Sequence, residues 1–231
     1  LHDNCIEPPS VMVVYSHDEA LSALESHSFF EHPFTIQSFV EGKGQGIFAL
    51  YDRGKPICFF AHRRLREKPP EGGVSVLCES APVPENLKEY AQILLDAACW
   101  HGVAMVEFRV TPEDTPYLME INPRFWGSLQ LAIDSGVDFP YWLYQVTTGK
   151  ELSPLPPQRH RRVRWLLGDL DRLYLVLKAP LSHYSFRDKV RAVLSFFKPN
   201  AQTKHEVNRL HDLRPFFHEL KQYLKSICFQ G

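Results

Sequence analysis

The sequence lacks the features that mark several large classes of protein. Among its 231 residues, 26 Lys and Arg nearly balance 27 Asp and Glu, so the formal net charge is only −1. A protein that mainly coats nucleic acid or an anionic membrane carries a large basic excess, so we expect neither partner. No apolar run approaches the roughly 18–20 residues that are needed to span a bilayer.

Cysteines are few, and their spacing is not that of a disulfide framework or a zinc site. The five cysteines form an odd set with no CxxC pair. Cys58, Cys78 and Cys99 each lie in an apolar stretch, where cysteine usually packs as a small hydrophobic residue. This usage predicts a reducing, cytoplasmic location.

What remains is the composition of an ordinary globular protein. Hydrophobic residues make up 44% of the chain and charged residues 23%, which excludes a disordered chain. The 18 Pro and 16 Phe predict many loops around an aromatic-rich core. The chain begins at Leu1 rather than Met, so we expect it to be a piece of a longer protein.

Hydrophobic patterning predicts an α+β fold, with a mostly antiparallel or mixed sheet flanked by helices and a helical C-terminal extension. The turn signal Asp52-Arg53-Gly54-Lys55 predicts a hairpin, and Ser16 with Glu19 predicts the capped start of a helix. A glycine-rich bend is expected at 41–46, and Gly102, Gly136 and Gly149 are expected to end helices. The predicted strands are 11–15, 34–40, 47–51, 56–66, 74–79, 103–110 and 116–121, and the main predicted helices are 84–101, 128–134 and 139–148.

Two carboxylates are predicted to face each other across a hairpin. If the strands at 103–110 and 116–121 pair around a turn at Glu113-Asp114, opposed residue numbers sum to 227, and Glu107 faces Glu120. Their Cβ atoms would then lie about 4.5–5.5 Å apart, and Asn122 would project from the same face. The flanking residues Val106, Phe108 and Ile121 look like core residues.

Opposed carboxylates repel each other unless a cation lies between them. Two carboxylates and an amide oxygen form a hard, all-oxygen set that suits Mg²⁺ or Mn²⁺. Arg124 follows the rigid Pro123 and offers a bidentate fork to a phosphate or a carboxylate. The alternative is a solvated sheet face on which each Glu pairs with an Arg such as Arg109.

These motifs resemble the ATP-grasp superfamily. Glu-Phe at 107–108, followed by Leu-Met-Glu-Ile-Asn-Pro-Arg-Phe-Trp-Gly-Ser at 118–128, is most similar to the branch that includes the large chain of carbamoyl phosphate synthase and related carboxylate–amine ligases. Gln37-Ser38-Phe39-Val40-Glu41-Gly42 resembles the adenine-binding hinge of that family. The basic run 61–67, with Gly72-Gly73 after it, resembles the strand and loop that face the phosphates.

The resemblance implies a role for each matched residue. Glu107 and Glu120, helped by Asn122, would hold Mg²⁺ or Mn²⁺, and Arg124 would contact the transferred phosphoryl group or the acceptor carboxylate. Gln37, Phe39 and Val40 would line the adenine pocket, with Glu41 on the ribose. Strand alternation places His62, Arg64 and Arg66 on one face, so His62 and Arg64 would lie near the triphosphate; the alternative for these is a solvated basic face.

The implied activity is ATP-dependent ligation of a small-molecule carboxylate to an amine through an acyl phosphate. The implied domains are a partial lid at 1–41, a metal-binding catalytic subdomain at 42–150 and a mainly helical extension at 151–231. Residues 1–40 contain no Lys and no glycine-rich loop for the phosphates. We therefore expect a missing N-terminal region or another subunit to supply these, and weak ATP binding with little turnover from this piece alone. The alternative function is a non-catalytic nucleotide-binding or interaction module on the same scaffold.

Two further features carry weaker signals. The basic run 158–165 is expected to form an edge strand, with Val163 and Trp165 inward and with Arg162 and Arg164 facing solvent or the active-site cleft. His205, His211 and His218 match no metal-ligand spacing and are expected on the surface.

Overall fold

The computed structural model describes residues 12–26, 30, 33–70 and 72–229, and the chain divides into two compact units, Leu1–Glu41 and Gly42–Gly231. Within the described residues, no helix is both long enough and apolar enough to cross a membrane.

The first unit contains helix α1, His17–Ser26. The expected cap is present, because Ser16 Oγ accepts from the Glu19 backbone N–H at 3.1 Å and the Glu19 carboxylate accepts from the Tyr15 backbone N–H at 2.8 Å. The strands expected at 11–15 and 34–40 are wrong for the residues described, since 12–15 and 33–41 are irregular. A strand needs a partner, and the described part of this unit offers none. Val11 lies outside the described residues.

The second unit is built on one seven-stranded sheet in the order β5-β4-β1-β2-β3-β6-β7. Neighbouring strands are antiparallel except β6 and β7, which are parallel, so the sheet is mixed, as expected. The strands are β1 Lys43–Asp52, β2 Lys55–Lys68, β3 Val74–Ala81, β4 Gly102–Val110, β5 Pro116–Asn122, β6 Arg162–Arg164 and β7 Thr203–His205.

The β1–β2 hairpin has the expected turn. Arg53 and Gly54 both have positive φ angles, 46° and 81°, as a two-residue type I′ turn requires. The bend expected at 41–46 is shorter than predicted, because β1 already begins at Lys43 and pairs with β4 from there. Gly44 and Gly46 are therefore strand residues, which matters for the site below.

In the described part of the second unit, six helices accompany the sheet. They are α2 Glu85–Ala97, α3 Leu129–Asp134, α4 Phe139–Thr147, α5 Leu166–Lys178, α6 Phe186–Phe197 and α7 Arg214–Phe229. Gly136 and Gly149 follow α3 and α4 with positive φ angles, as expected. Gly102 does not end α2, because Cys99 takes the left-handed conformation instead and Gly102 begins β4.

The two faces of the sheet bury separate cores. Phe48, Phe60 and Met105 pack on one face, which we call the Glu107 face because Glu107 alternates in step with Met105 along β4. Ile47, Ala104 and Val106 pack on the other, which we call the α2 face because Leu87, Ala91 and Leu95 of α2 cover it.

The segment after Gly149 is not only helical. It contributes β6 and β7, which extend the sheet beyond β3. Val163 is buried, as expected, but β6 is not an edge strand, because β7 pairs along its outer side. Arg162 and Arg164 therefore face neither open solvent nor the Glu107 face, but ion-pair with Glu79 and Asp169.

Candidate functional site

The β4–β5 hairpin brings Glu107 and Glu120 directly opposite each other. The expected register holds for three pairs, Met105 with Asn122, Val106 with Ile121 and Glu107 with Glu120. A bulge follows between Glu107 and Phe108, so the next pair is Phe108 with Leu118 and Met119 is the extra residue. The register is thus interrupted immediately beside the carboxylate pair.

The surroundings of the pair differ on the two strands. Val106 and Phe108 are buried, as a core-like flank predicts, but Ile121 is 39% exposed. The reason is that β5 is the edge of the sheet and β4 is not. Glu107 is consequently partly buried, with its side chain 18% exposed, whereas Glu120 lies at the open edge.

Arg64 reaches Glu107 from two strands away. Arg64 belongs to β2 and Glu107 to β4, with β1 between them, yet Arg64 Nη2 donates to Glu107 Oε1 at 2.8 Å. The crossing passes over Gly44 of β1, where a Cβ atom would lie 3.2 Å from Arg64 Nη1 and 3.7 Å from Glu107 Oε1. Glycine therefore leaves room for the ion pair. Arg64 Nη1 also donates to Glu67 Oε1 at 3.2 Å.

Asn122 and Glu120 lie close together on β5 and are joined by a hydrogen bond. Asn122 Nδ2 donates to Glu120 Oε1 at 2.6 Å, consistent with their sharing a face. Among the described residues, these contacts occupy Glu107 Oε1, Glu120 Oε1 and Asn122 Nδ2. The oxygens Glu107 Oε2, Glu120 Oε2 and Asn122 Oδ1 remain for a ligand.

This oxygen set suits a hard divalent cation, which prefers carboxylate and amide oxygens and completes its shell with water or phosphate. In the described part of the chain, no group of three or more His, Cys, Asp or Glu side chains is placed to hold a metal ion. The set at 107, 120 and 122 has two carboxylates and an amide, and it would need outside oxygens to complete a coordination shell.

A cavity of about 450 Å³ joins most of the residues that the sequence singles out in the second unit. His62, Arg64, Glu120, Asn122 and Arg124 all line it. Arg124 Nη1 donates to the Phe125 carbonyl at 3.1 Å, and its side chain is exposed at the cavity wall. Two cationic groups and a carboxylate–amide pair therefore border one space.

His62 is present in the cavity but is not a cation. Burial, and then the nearby Arg64, lowers the pKa of His62 to about 3. Its Nδ1 lies 2.8 Å from Ser128 Oγ, and its Nε2 is buried without a hydrogen-bond partner among the described residues. His62 therefore offers a neutral ring nitrogen to this space.

Arg66 does not lie on the sheet face that the alternation of side chains along β2 predicts for it. The pairing of β2 with β3 is irregular between Arg64 and Arg66 and again between Arg66 and Glu67. As a result, Arg66 Nη2 lies 2.9 Å from Asp169 Oδ2, away from the residues that line the 450 Å³ cavity. A simple two-residue period could not have shown these irregularities.

The residues expected around adenine lie in the first unit. Gln37, Phe39, Val40 and Glu41 belong to the irregular segment 33–41, where Val40 is half-buried and the other three are exposed. Their proposed contacts with a nucleotide stay a prediction.

Several lining residues were not assigned to the site from the sequence, although Trp165 was expected to point inward. Trp126 stacks on Phe48 with ring centroids 4.2 Å apart, and Ser128 holds His62. Both lie in the Phe-Trp-Gly-Ser run directly after Arg124, so a signal was available. Trp165, Glu206 and Glu219 come from the C-terminal segment, and no local motif connects them to the site.

Glu206 and Glu219 form a second acidic pair at the cavity. Burial, and then the neighbouring Glu219, raises the pKa of Glu206 to about 7, while Arg209 opposes the shift. Glu219 Oε1 accepts from Trp165 Nε1, and its Oε2 is buried without a partner among the described residues. Glu206 is thus partly protonated near neutral pH.

Comparison with known proteins agrees with the motif resemblance. Residues 31–168 match the model of a family described as ATP-grasp in the biosynthetic pathway with Ter operon. No curated protein sequence matches the chain.

Three solved structures are similar to parts of the chain. N5-carboxyaminoimidazole ribonucleotide synthetase from Thermus thermophilus is 20% identical with a TM-score of 0.49, and the match covers 64% of this chain and 41% of that one. The phosphoribosylaminoimidazole carboxylase ATPase subunit from Aquifex aeolicus is 17% identical with a TM-score of 0.47, and the match covers 55% of this chain and 39% of that one. A biotin carboxylase from Campylobacter jejuni is 17% identical with a TM-score of 0.44, and the match covers 55% of this chain and 30% of that one. The chain thus spans less than half the length of each of these three structures.

Proposed function

The chain belongs to the ATP-grasp family, and we propose that it is an ATP- and Mg²⁺-dependent ligase, or part of one, that joins a small-molecule carboxylate to an amine through an acyl phosphate. The observation that carries this proposal is the opposition of Glu107 to Glu120. Glu120 and Asn122 line a cavity together with Arg64 and Arg124, and Arg64 connects Glu107 to that group by a hydrogen bond.

The donor set supports the metal part of the proposal. Glu107, Glu120 and Asn122 each keep an oxygen that makes no hydrogen bond among the described residues. These oxygens would hold Mg²⁺, or Mn²⁺ in its place. Such an ion neutralises charge that spreads over the phosphoryl oxygens during transfer.

The chain's own residues would do the positioning. Arg64 fixes the carboxylate of Glu107 by a hydrogen bond across β1, so that its second oxygen points to one place. Arg124, at the cavity wall, would pair with the transferred phosphoryl group or with the acceptor carboxylate. His62 is neutral and would donate or accept a hydrogen bond, but it would not add charge.

Nucleotide contacts would come from the first unit. We assign the adenine ring to Gln37, Phe39 and Val40 and the ribose hydroxyls to Glu41, on the motif that these residues form with Gly42. An aromatic ring and exposed polar side chains in an irregular segment are suited to nucleotide binding. The backbone N–H and C=O groups of such a segment make no sheet hydrogen bonds and are free to bind the base.

The proposed chemistry has two steps. A carboxylate oxygen of the substrate attacks the γ-phosphorus of ATP, and the bond to the β,γ-bridging oxygen breaks to release ADP. The amine nitrogen then attacks the acyl carbon, phosphate leaves and the nitrogen loses a proton. No protein nucleophile is needed, so catalysis would rest on in-line positioning and charge stabilisation.

The location proposed for this chemistry is the cytoplasm. Cys58, Cys78 and Cys99 are all free thiols in the structure. Burial raises the pKa of both Cys58 and Cys78 to about 12, which keeps these two thiols protonated and unreactive.

The proposal is tested by calorimetric titration of the chain with ATP, in Mg²⁺ and again in EDTA. We expect binding in Mg²⁺ that Glu120→Gln abolishes, because the substitution keeps the shape and removes a charged metal ligand. Glu113→Gln, in the exposed turn of the same hairpin, is the matched control and should bind as the original chain does. Equal binding by Glu120→Gln and Glu113→Gln contradicts the assignment.

The alternative function, a non-catalytic nucleotide-binding module, shares the same residues. The two are separated by following ADP release with a panel of carboxylates and hydroxylamine, which traps acyl phosphates as hydroxamates. Hydroxamate formation that depends on Glu120 supports the ligase. Mg²⁺-dependent ATP binding without ADP or hydroxamate supports the module.

A further inference from the structure

A second, larger cavity lies on the opposite face of the sheet. It has a volume of about 930 Å³ and is bordered by β2, β3, β6, β7, α5 and α6. Val163 packs with Phe48 and Phe60 on the Glu107 face, so its neighbours Arg162 and Arg164 project to the other side, into this cavity. The cavity is therefore separate from the carboxylate site.

The cavity wall is strongly cationic. Its lining includes six Lys and Arg side chains but only one carboxylate, that of Asp188. The six are Arg66, Arg162, Arg164, Arg172, Arg191 and Lys198. Because the chain as a whole has a net charge of −1, this concentration of positive charge is local.

Buried polar atoms around this cavity lack partners. Three guanidinium donors, Arg66 Nε, Arg164 Nη2 and Arg172 Nε, and the ring nitrogen His205 Nδ1 are buried without a hydrogen-bond partner among the described residues. One acceptor of the neighbouring carboxylate, Asp169 Oδ1, is in the same state. A buried polar group without a partner destabilises the folded chain, because it has lost its hydrogen bonds to water. Several such donors around one cavity are the pattern expected where an external acceptor completes the hydrogen bonding.

The nearby carboxylates do not balance these guanidinium groups. Asp169, 1% exposed, accepts from Arg164 Nε at 2.6 Å and lies 2.9 Å from Arg66 Nη2, so one carboxylate serves two arginines. Burial lowers the pKa of Arg66, and Arg164 and Arg172 add to this although Asp169 opposes it. The three arginines thus crowd one another around a single carboxylate.

Apolar groups lie beside the cationic ones. Leu65, Leu77 and Val176 line the cavity. The guanidinium carbon of Arg164 also lies 4.2 Å from the centroid of the Phe196 ring, a cation–π contact. A ligand with an anionic end and a compact body would match both kinds of surface.

We propose that this cavity is a binding site for a small polyanion that carries at least two phosphoryl or carboxylate groups. Arg66, Arg164 and Arg172 would bind the anionic groups, and the position on the α2 face separates this cavity from the carboxylates on the Glu107 face. A guanidinium group pairs both with phosphoryl oxygens and with carboxylate oxygens. Binding experiments with one probe of each kind are therefore needed to tell a phosphorylated ligand from a polycarboxylate.

The test titrates the chain with inorganic pyrophosphate and, separately, with citrate, in EDTA and at constant ionic strength. We expect saturable binding of at least one probe, with the preferred one identifying phosphoryl or carboxylate as the natural group. Arg172→Gln should weaken binding about tenfold, since it removes a charged donor without breaking an ion pair of Asp169.

Two further variants complete the test. Arg187→Gln removes the same charge from α6 outside the cavity and should bind the probes as the original chain does. If Arg172→Gln does not fold, Arg191→Gln, whose side chain is 69% exposed, replaces it, with an expected loss of about threefold.

Three results would overturn the proposal. The first is the absence of binding by either probe at about 1 mM. The second is equal weakening by Arg172→Gln and Arg187→Gln, which would indicate general charge attraction. The third is tighter binding of a single-stranded RNA oligomer that depends on Arg187 as much as on Arg172, which would indicate a nucleic-acid surface instead.

Discussion

Arg64 and Glu107 are joined across an intervening strand, with Nη2 of the arginine 2.8 Å from Oε1 of the glutamate. Both side chains are only 18% exposed. The contact is possible because the strand between them carries Gly44 at the crossing point. The pair occupies one oxygen of Glu107 and leaves the other without a hydrogen bond among the described residues, while Glu120 lies opposite on β5.

Removing the arginine should destabilise the chain in a way that a divalent cation reverses. Arg64→Met leaves Glu107 without its cationic partner, and we expect a loss of about 1–3 kcal/mol in the free energy of unfolding. Because Mg²⁺ would supply a new partner for the carboxylate, the loss should be smaller in Mg²⁺ than in EDTA. Urea denaturation in the two buffers measures the difference.

The comparison for this variant is Arg187→Met, which removes an exposed arginine of α6. It should change stability little in either buffer. If Arg64→Met loses the same stability with and without Mg²⁺, then the cation does not bind beside Glu107.

The crossing at Gly44 should be sensitive to any side chain. A Cβ atom there would lie 3.2 Å from Arg64 Nη1, and the further methyl groups of Gly44→Val would displace the guanidinium from Glu107. We expect weaker Mg²⁺-dependent ATP binding, by about tenfold, since the positioning of one metal ligand is lost. Titration calorimetry checks this. Gly127→Ala, where a Cβ meets no atom within 4 Å, should retain folding and stability.

Glu206 should make stability depend on pH. Its pKa is raised from 4.5 to about 7, so the folded chain holds this proton more tightly than the unfolded chain does. Between these two pH values the unfolded state binds fewer protons, and the free energy of unfolding therefore falls as pH rises. Glu206→Gln should remove this fall and be more stable than the original chain at pH 8, by about 1–3 kcal/mol, with less difference at pH 5.

Urea denaturation at the two pH values measures this effect, with Glu113→Gln as the exposed control. A stability difference between the original chain and Glu206→Gln that is the same at pH 5 and pH 8 would show that Glu206 does not titrate in this range.

His62 should remain neutral across the physiological range. Burial beside Arg64 lowers its pKa to about 3, so its Cε1–H NMR resonance should not move between pH 5 and pH 8. Loss of one signal in His62→Gln assigns the resonance. The sign of the linkage is opposite to that of Glu206: His62 lowers stability as pH falls from 6.5 to about 3, because only the unfolded chain readily takes up the proton. A resonance that titrates near pH 6.5 would contradict the buried placement.

Local patterns predicted the centre of the sheet well. The turn at Asp52–Lys55 and the opposition of Glu107 to Glu120 both depend on residues that are near in sequence, and both are present. The prediction of a strand at 34–40 was wrong, although the segment has enough apolar residues for one. A strand also needs a neighbouring strand to pair with, and the sequence of the segment itself does not specify that neighbour.

Bulges and long-range contacts limited the prediction of the candidate site. Irregular pairing of β2 with β3 places Arg66 on the opposite face from the one that side-chain alternation predicts. None of the residue types around Arg66 in β2 signals this irregularity. Glu206 and Glu219 reach the cavity from the C-terminal segment, and only the fold brings them to the same cavity as His62. Likewise, His205 was expected on the surface but is half-buried in β7, with its Nδ1 atom lacking a partner among the described residues.

We propose that Glu107, Glu120 and Asn122 hold a divalent cation beside bound nucleotide. The sharpest test is an anomalous difference map from crystals of the chain grown with Mn²⁺ and a non-hydrolysable ATP analogue. We expect a manganese peak about 2.0–2.3 Å from oxygens of Glu107 and Glu120, with phosphate oxygens completing the shell. Nucleotide density without a manganese peak between these two carboxylates would contradict it.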